Sequence, residues 1–154
     1  MPVKEAVEYA KKGLAYAKRT KYKEALLYYN KALALDPNYP DALVLRAAAY
    51  IETGKHKEAL ADCDKAIAVN QNLSEAWSKK SLALFYLERI EDALAASTRA
   101  STLNANDVTA WYIKGVCLDE MGRTDEAQEA YGRSLELEII LDMHAEAKKI
   151  RKQR

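Results

Sequence analysis

From Tyr22 to Asn38 the chain reads YKEALLYYNKALALDPN, an amphipathic helix pattern stopped by Pro37. Thirty-four residues later it reads HKEALADCDKAIAVNQN, from His56 to Asn72. Lys, Glu, Ala and Leu return in order, followed by the Lys-Ala pair and the closing Asn. Cut at a period of 34, the chain falls into blocks 6–39, 40–73, 74–107 and 108–141 without insertion or deletion. The fourth place of each block holds Tyr9, Leu43, Trp77 and Trp111. The eighth holds Gly13, Ala47, Ser81 and Gly115, and the eleventh Tyr16, Tyr50, Leu84 and Leu118. The twentieth is Ala25, Ala59, Ala93 and Ala127, and the twenty-seventh Ala32, Ala66, Ala100 and Ser134.

Places 4, 8 and 11 lie on one face of a helix turning 100° per residue. A small residue between large ones lets a second helix approach closely, and places 20 and 27 do the same for that second helix. Each block is therefore predicted to be two antiparallel helices, A then B. One pair cannot cover its apolar faces alone, so the four must stack. The punctuation agrees. Pro40 opens an A helix where its missing N–H costs nothing, and Ser74 and Asp107 can cap the next two. Gly54 and Gly122 sit at the A-to-B turn, where a left-handed residue ends a helix. Thr20 and Glu88 hold that place in blocks one and three, and a slightly different turn is expected there.

These residues resemble the tetratricopeptide repeat (TPR) family, whose 34-residue unit carries Trp, Leu-Gly, Tyr, Ala, an aromatic, Ala and Pro at fixed places. The resemblance covers residues 6–141. Lys12, Arg46, Lys80 and Lys114 depart from it by standing where Leu is usual, and the closing Pro is present only as Pro37. The resemblance implies an all-α, right-handed superhelix of four antiparallel helix pairs whose A helices line a groove that binds other polypeptides. Residues 1–154 are expected to form a single domain. After block four, Ile140, Met143, Ala147 and Ile150 form an apolar stripe, similar to the capping helix of such arrays. With no Gly or Pro intervening, one helix extended from about Thr124 to about Lys152 is expected, with residues 142–154 as its tail.

Opposite the core face, place 9 is apolar in every block: Leu14, Ala48, Leu82 and Val116. Place 6 holds Lys11, Leu45, Lys79 and Ile113. Val44, Phe85 and Tyr112 lie on one flank, and Tyr86 near one end. Four A helices packed about 8–10 Å apart would set these middles in a strip on the order of 30 Å long. A strip of that kind with a polar rim marks an interaction surface. The expected ligand is an apolar or amphipathic protein segment, with Lys11, Leu14, Val44, Leu45, Ala48, Lys79, Leu82, Phe85, Tyr86, Tyr112, Ile113 and Val116 in contact. Relatives that hold acidic chaperone C-termini use a Lys/Asn/Arg clamp. At the matching positions stand Ala10, Leu14, Leu45, Glu75 and Lys79, which disfavours an acidic C-terminal ligand. Two alternatives stay open: a self-associating module whose tail enters a neighbour's groove, and an engineered scaffold.

Composition narrows the rest. Apolar residues make up 49% and charged residues 31%, and net charge is +1, so no bulk field draws the whole chain to nucleic acid or membrane. Charge is uneven: residues 1–31 hold eight Lys/Arg against three Glu, and five Lys/Arg follow Glu146. The basic tail has no interleaved aromatics for base stacking and reads as a solvated helix end. No run of 18 apolar residues suggests a membrane span, and the N-terminus lacks an apolar signal core. His56 and His144 have no catalytic partner at a recognisable spacing. No phosphate loop or metal motif is present, so no enzyme, metal or cofactor is expected. Cys63 and Cys117, 54 residues apart, read as core filler. Trp77 and Trp111 read as repeat core, and reducing cytoplasm is the expected compartment.

Overall fold

The structure, a computed structural model, describes residues 1–153. Among them are eight helices: α1 (Lys4–Ala17), α2 (Tyr22–Leu35), α3 (Pro40–Glu52), α4 (His56–Val69), α5 (Ser74–Tyr86), α6 (Ile90–Leu103), α7 (Val108–Glu120) and α8 (Thr124–Lys152). Each odd helix packs on the even helix that follows it, and α2, α4 and α6 also pack on the next odd helix. The odd helices touch one another in series, α1 on α3, α3 on α5 and α5 on α7, whereas no two even helices touch. The A helices are thus the tightly spaced layer and the B helices an outer row.

The small residues permit this spacing. Gly13, Ala47, Ser81 and Gly115 are all buried, and Ala25, Ala59, Ala93 and Ala127 are each 0% exposed. Ser134, which follows Ala32, Ala66 and Ala100 at the twenty-seventh place, is 4% exposed. Its hydroxyl donates to the Val108 carbonyl at 3.1 Å, which satisfies the one polar group the substitution introduces.

All four A-to-B turns are the same turn. Gly54 and Gly122 take φ of 78° and 75°, and Thr20 and Glu88 take 57° and 60°. The closing bond also recurs: Lys21, Lys55, Arg89 and Arg123 donate their N–H to Tyr16, Tyr50, Leu84 and Leu118 at 2.8–3.0 Å. The expectation of a different turn at Thr20 and Glu88 is corrected. The packing of each A helix on its B helix outweighs the roughly 1–2 kcal/mol that a side chain costs in the left-handed region.

The B-to-A turns vary in chemistry but not in path. Where block one uses Asp36-Pro37, the side chains of Asn70 and Asn104 accept from the N–H of Asn72 and Asn106 at 3.0 and 3.1 Å. The indoles of Trp77 and Trp111 donate to the carbonyls of Gln71 and Ala105, each at 2.9 Å, tying each loop to the helix after it. Asp107 caps α7 by accepting from Ala110 N–H at 3.0 Å. Ser74 does not cap α5. It is the first helical residue, and Leu73 occupies the capping position without a side-chain bond.

The basic residues at the seventh place of each block also find a structural role. The Arg46 guanidinium donates two bonds of 2.7 Å to Asp62 and one of 3.0 Å to Asn30, joining α3 to α4 and α2. Lys80 pairs with Asp64 at 2.7 Å. Lys12, Lys80 and Lys114 lie 5.9, 5.3 and 5.1 Å from the ring centroids of Tyr9, Trp77 and Trp111. Their aliphatic stems cover the ring faces that a Leu would otherwise cover.

Past Glu138 the chain does not turn. Helix α8 continues unbroken to Lys152, 29 residues against 14 in α2, α4 and α6. Residues 142–152 therefore prolong the fourth B helix and are not a separate cap. Arg154 lies outside the described residues.

Candidate functional site

Place 9 is the spine of the A-helix layer. Leu14, Ala48, Leu82 and Val116 are half-buried in every repeat, neither packed away nor fully open. Around them the surface forms two neighbouring clefts. The first, of about 370 Å³, lies between α3 and α5; Val44, Leu45, Ala48 and Ser78 form its walls, and Glu75, Lys79, Asp107 and Thr109 its rim. The second, of about 340 Å³, lies between α5 and α7, lined by Leu82, Phe85, Tyr86, Val108, Thr109, Tyr112, Ile113 and Val116, with Glu138 at its edge. Thr109 belongs to both, so the clefts adjoin.

Ten of the twelve residues singled out from the sequence line one of these clefts. Lys11 and Leu14 on α1 line neither, and Lys11 sits 3.7 Å from Glu8 on its own helix. Two of the ten are less open than a helical wheel suggests. Val44 is 5% exposed and Ile113 3%, each contributing an edge to its cleft while most of its surface packs inward. The reason lies in the neighbours. Val44 packs with Leu43 and Ala76, and Ile113 with Leu84 and Cys117, because the adjacent A helix covers that flank. Tyr112 occupies the same place as Val44 in its repeat, yet is 54% exposed, since α7 has no further A helix beside it among the described residues.

Six residues beyond those twelve also line the clefts: Glu75, Ser78, Asp107, Val108, Thr109 and Glu138. Thr109 and Val108 open α7 and face the clefts from its first turn. Their position at the start of a block was a usable signal. Glu138 reaches the second cleft only because α8 runs straight on. His56, at the start of α4, stacks on Tyr86 with centroids 4.6 Å apart and planes 15° from parallel, so Tyr86 is braced from the B layer.

The chemistry of the clefts is contact chemistry. Apolar side chains line the walls, and carboxylates and one ammonium group stand at the rims. Burial pushes the Cys63 thiol up to about 12 and the Cys117 thiol up to about 11, which leaves both protonated and unreactive at neutral pH. Among the described residues no cluster of three or more His, Cys, Asp or Glu could hold a metal ion, and no helix is long and apolar enough to cross a membrane.

Tetratricopeptide repeat family models match residues 16–83 and 79–138. The first TPR of Spaghetti (RPAP3), solved with the HSP90 peptide SRMEEVD, is 30% identical with a TM-score of 0.74, over 77% of this chain and 94% of that one. The Sgt2 TPR domain from Aspergillus fumigatus is 27% identical with a TM-score of 0.75, over 80% and 83% of the two chains. MamA shares the fold at 20% identity, with a TM-score of 0.77 over 90% and 81%. No curated protein sequence matches the chain significantly. Proteins of this kind generally serve as interaction modules and not as enzymes. With four helix pairs in one register, two family models spanning them and a 30% identical relative covered almost end to end, the chain belongs to the tetratricopeptide repeat family.

Proposed function

We propose that this chain is a non-enzymatic adaptor, acting as one four-repeat unit, that holds an apolar or amphipathic peptide segment across α3, α5 and α7. The observation that carries this reading is the pair of adjoining clefts, apolar on their walls and charged on their rims, on the tightly spaced helix layer. Leu82, Phe85, Tyr112 and Val116 supply buried contact area, and Lys79, Glu75, Asp107 and Glu138 fix register. Carboxylates on both rims favour a segment carrying basic residues beside its apolar ones. They oppose a strongly acidic segment such as the peptide bound by the 30% identical relative. Two free, buried thiols fit a reducing, cytoplasmic setting.

Fluorescence polarisation tests the reading directly. A panel of labelled peptides would include amphipathic helices with basic flanks and the acidic sequence SRMEEVD. The amphipathic class should bind, and Leu82→Glu should weaken it at least tenfold while circular dichroism stays unchanged. Equal or tighter binding of the acidic peptide, or no effect of Leu82→Glu, would overturn it.

A further inference from the structure

We infer that the second cleft, between α5 and α7, receives an arginine side chain of the bound segment. Its guanidinium lies against the rings of Tyr86 and Tyr112 and donates to the Glu138 carboxylate. This rests on the adaptor reading and adds to it which kind of residue enters which cleft.

The two clefts differ in chemistry. The walls of the first are aliphatic, from Val44, Leu45 and Ala48, and its rim carries both signs of charge, Glu75 and Asp107 against Lys79. An apolar side chain is complementary to it. The second holds three aromatic rings, Phe85, Tyr86 and Tyr112, with one carboxylate, Glu138, and no basic residue lines it. The face of an aromatic ring is electrically negative. Rings and carboxylate therefore favour a cation together. They do so over the apolar side chains of Leu82, Ile113 and Val116, where water screens charge less than on open surface.

Elsewhere the chain supplies such cations itself. Lys12 and Lys31 stand over Tyr9, Lys31 over Tyr28, Arg46 and Lys55 over Tyr50, Lys80 over Trp77 and Lys114 over Trp111, all 5.1–6.0 Å from the ring centroid. Among the described residues no such cation stands over Phe85, Tyr86 or Tyr112, although Tyr86 is 52% and Tyr112 54% exposed. Glu138 is unmatched in the same way. The ion pairs of α8 join Arg123 to Glu126, Arg133 to Glu136 and Lys149 to Glu146, and Glu138 is in none of them.

The rings are also held in place. His56 stacks on Tyr86 with centroids 4.6 Å apart, Phe85 meets Tyr86 edge-on at 5.9 Å, and Tyr131 lies against Tyr112 at 5.9 Å. Each exposed ring is thus braced by a neighbour, and less side-chain freedom is lost when a ligand arrives. Of the available cations, guanidinium fits both features. It stacks flat on a ring and presents a planar fork to a carboxylate. A lysine ammonium is more strongly hydrated. A quaternary ammonium has no N–H to give Glu138.

Amide NMR of the isotope-labelled chain, titrated with N-acetylarginine amide, tests the assignment. Saturable shifts should centre on Tyr86, Tyr112 and Glu138. N-acetylcitrulline amide, which keeps the shape and lacks the charge, should bind at least about threefold more weakly. Glu138→Gln and Tyr112→Leu should each weaken arginine binding by a similar factor, and Glu75→Gln, at the first cleft, should not change it. Equal binding of citrulline, tighter binding of the trimethyl-lysine analogue, shifts centred on Glu75 and Lys79, or no saturable shift at all would each overturn it. The peptides separate this from the adaptor reading. In amphipathic peptides with Arg flanks, citrulline in place of every Arg should weaken binding by at least the same factor. Peptide binding that ignores this replacement, with no shift from blocked arginine, removes the arginine site and leaves the adaptor. Arginine shifts without binding of any peptide keep the site and remove the adaptor.

Discussion

The ring of Tyr29 fills the space that a side chain on Gly13 would need: a Cβ built there would collide with Cε1 and Cδ1 of Tyr29. Repeat four repeats the arrangement, with Tyr131 Cδ1 2.7 Å from a Cβ built on Gly115. Repeat two fills the same space with Ala47 and Cys63, which share one cluster. The eighth and twenty-fourth places are thus two halves of one packing unit, in which a larger residue on the A helix goes with a smaller one on the B helix. Gly13→Ala should cost about 1–3 kcal/mol by overpacking. Tyr29→Cys should cost more, through the cavity left behind. The double variant, which imports the pair of repeat two, should cost less than the sum of the two. Urea unfolding of the four proteins forms the cycle, and strict additivity would show the two places to be independent.

Thr20 and Glu88 hold backbone conformations that Gly54 and Gly122 hold without strain. Thr20→Gly and Glu88→Gly should each raise stability, by about 1 kcal/mol. Gly54→Ala and Gly122→Ala should lower it by a similar amount, although a Cβ at either Gly meets nothing within 4 Å. Thermal melts would register the four shifts, and a loss of stability in both Gly variants would contradict the strain argument.

Arg46 and Asp62 should behave as a unit. The Asp62 side chain is 8% exposed and that of Arg46 22%, so removing either partner strands a nearly buried charge. Arg46→Ala should cost about 2 kcal/mol, less than the roughly 3–5 of a fully buried pair because water reaches the guanidinium. Lys80→Ala removes a pair whose Asp64 is 52% exposed, and it should cost under about 1 kcal/mol. Comparable losses in the two variants would mean that burial does not set the difference.

Alkaline pH should unfold the stack earlier than its surface charge implies. Burial raises Cys63 from 9.0 to about 12, Cys117 from 9.0 to about 11 and Tyr29 from 10.0 to about 12. A raised folded-state value means the contribution is whole below the unfolded value and lost as pH climbs to the folded one. Stability should therefore start to fall near pH 9 and keep falling toward pH 12. The variant Cys63→Ala, Cys117→Ala, Tyr29→Phe should fall less steeply over that window. Tyr29→Phe also removes a buried hydroxyl without a partner, so the variant's loss at neutral pH should come from the two Ala substitutions. Identical slopes for variant and parent would rule the three groups out.

Much of this was legible in the residues. The period, the helix pairs, the small positions, Pro40 and Asp107 at helix starts and the unbroken run of α8 all follow from local rules. Each depends on the side chain's own size, its backbone preference or its spacing along one helix. The left-handed Thr20 and Glu88 were not legible, because their own preferences point elsewhere and packing on both sides of the turn overrides them. Ser74 shows the same limit at a helix start: a capping residue one position too late cannot cap.

The site divides along the same line. Place 9 could be read as the face opposite the core, because one helix's geometry decides it. Whether Val44 and Ile113 are open or packed away, and why Tyr112 differs from Val44 at the same place, depends on which helix lies alongside, and a single repeat does not encode that. The sequence by itself determined a tetratricopeptide stack and the apolar line along its A helices, since both are periodic consequences of 3.6 residues per turn repeated every 34. Where that line opens into clefts, and that Glu138 borders one of them, was settled by the tertiary structure alone. Exposure is a property of neighbours, and neighbours are set by the stacking of helices far apart in the chain.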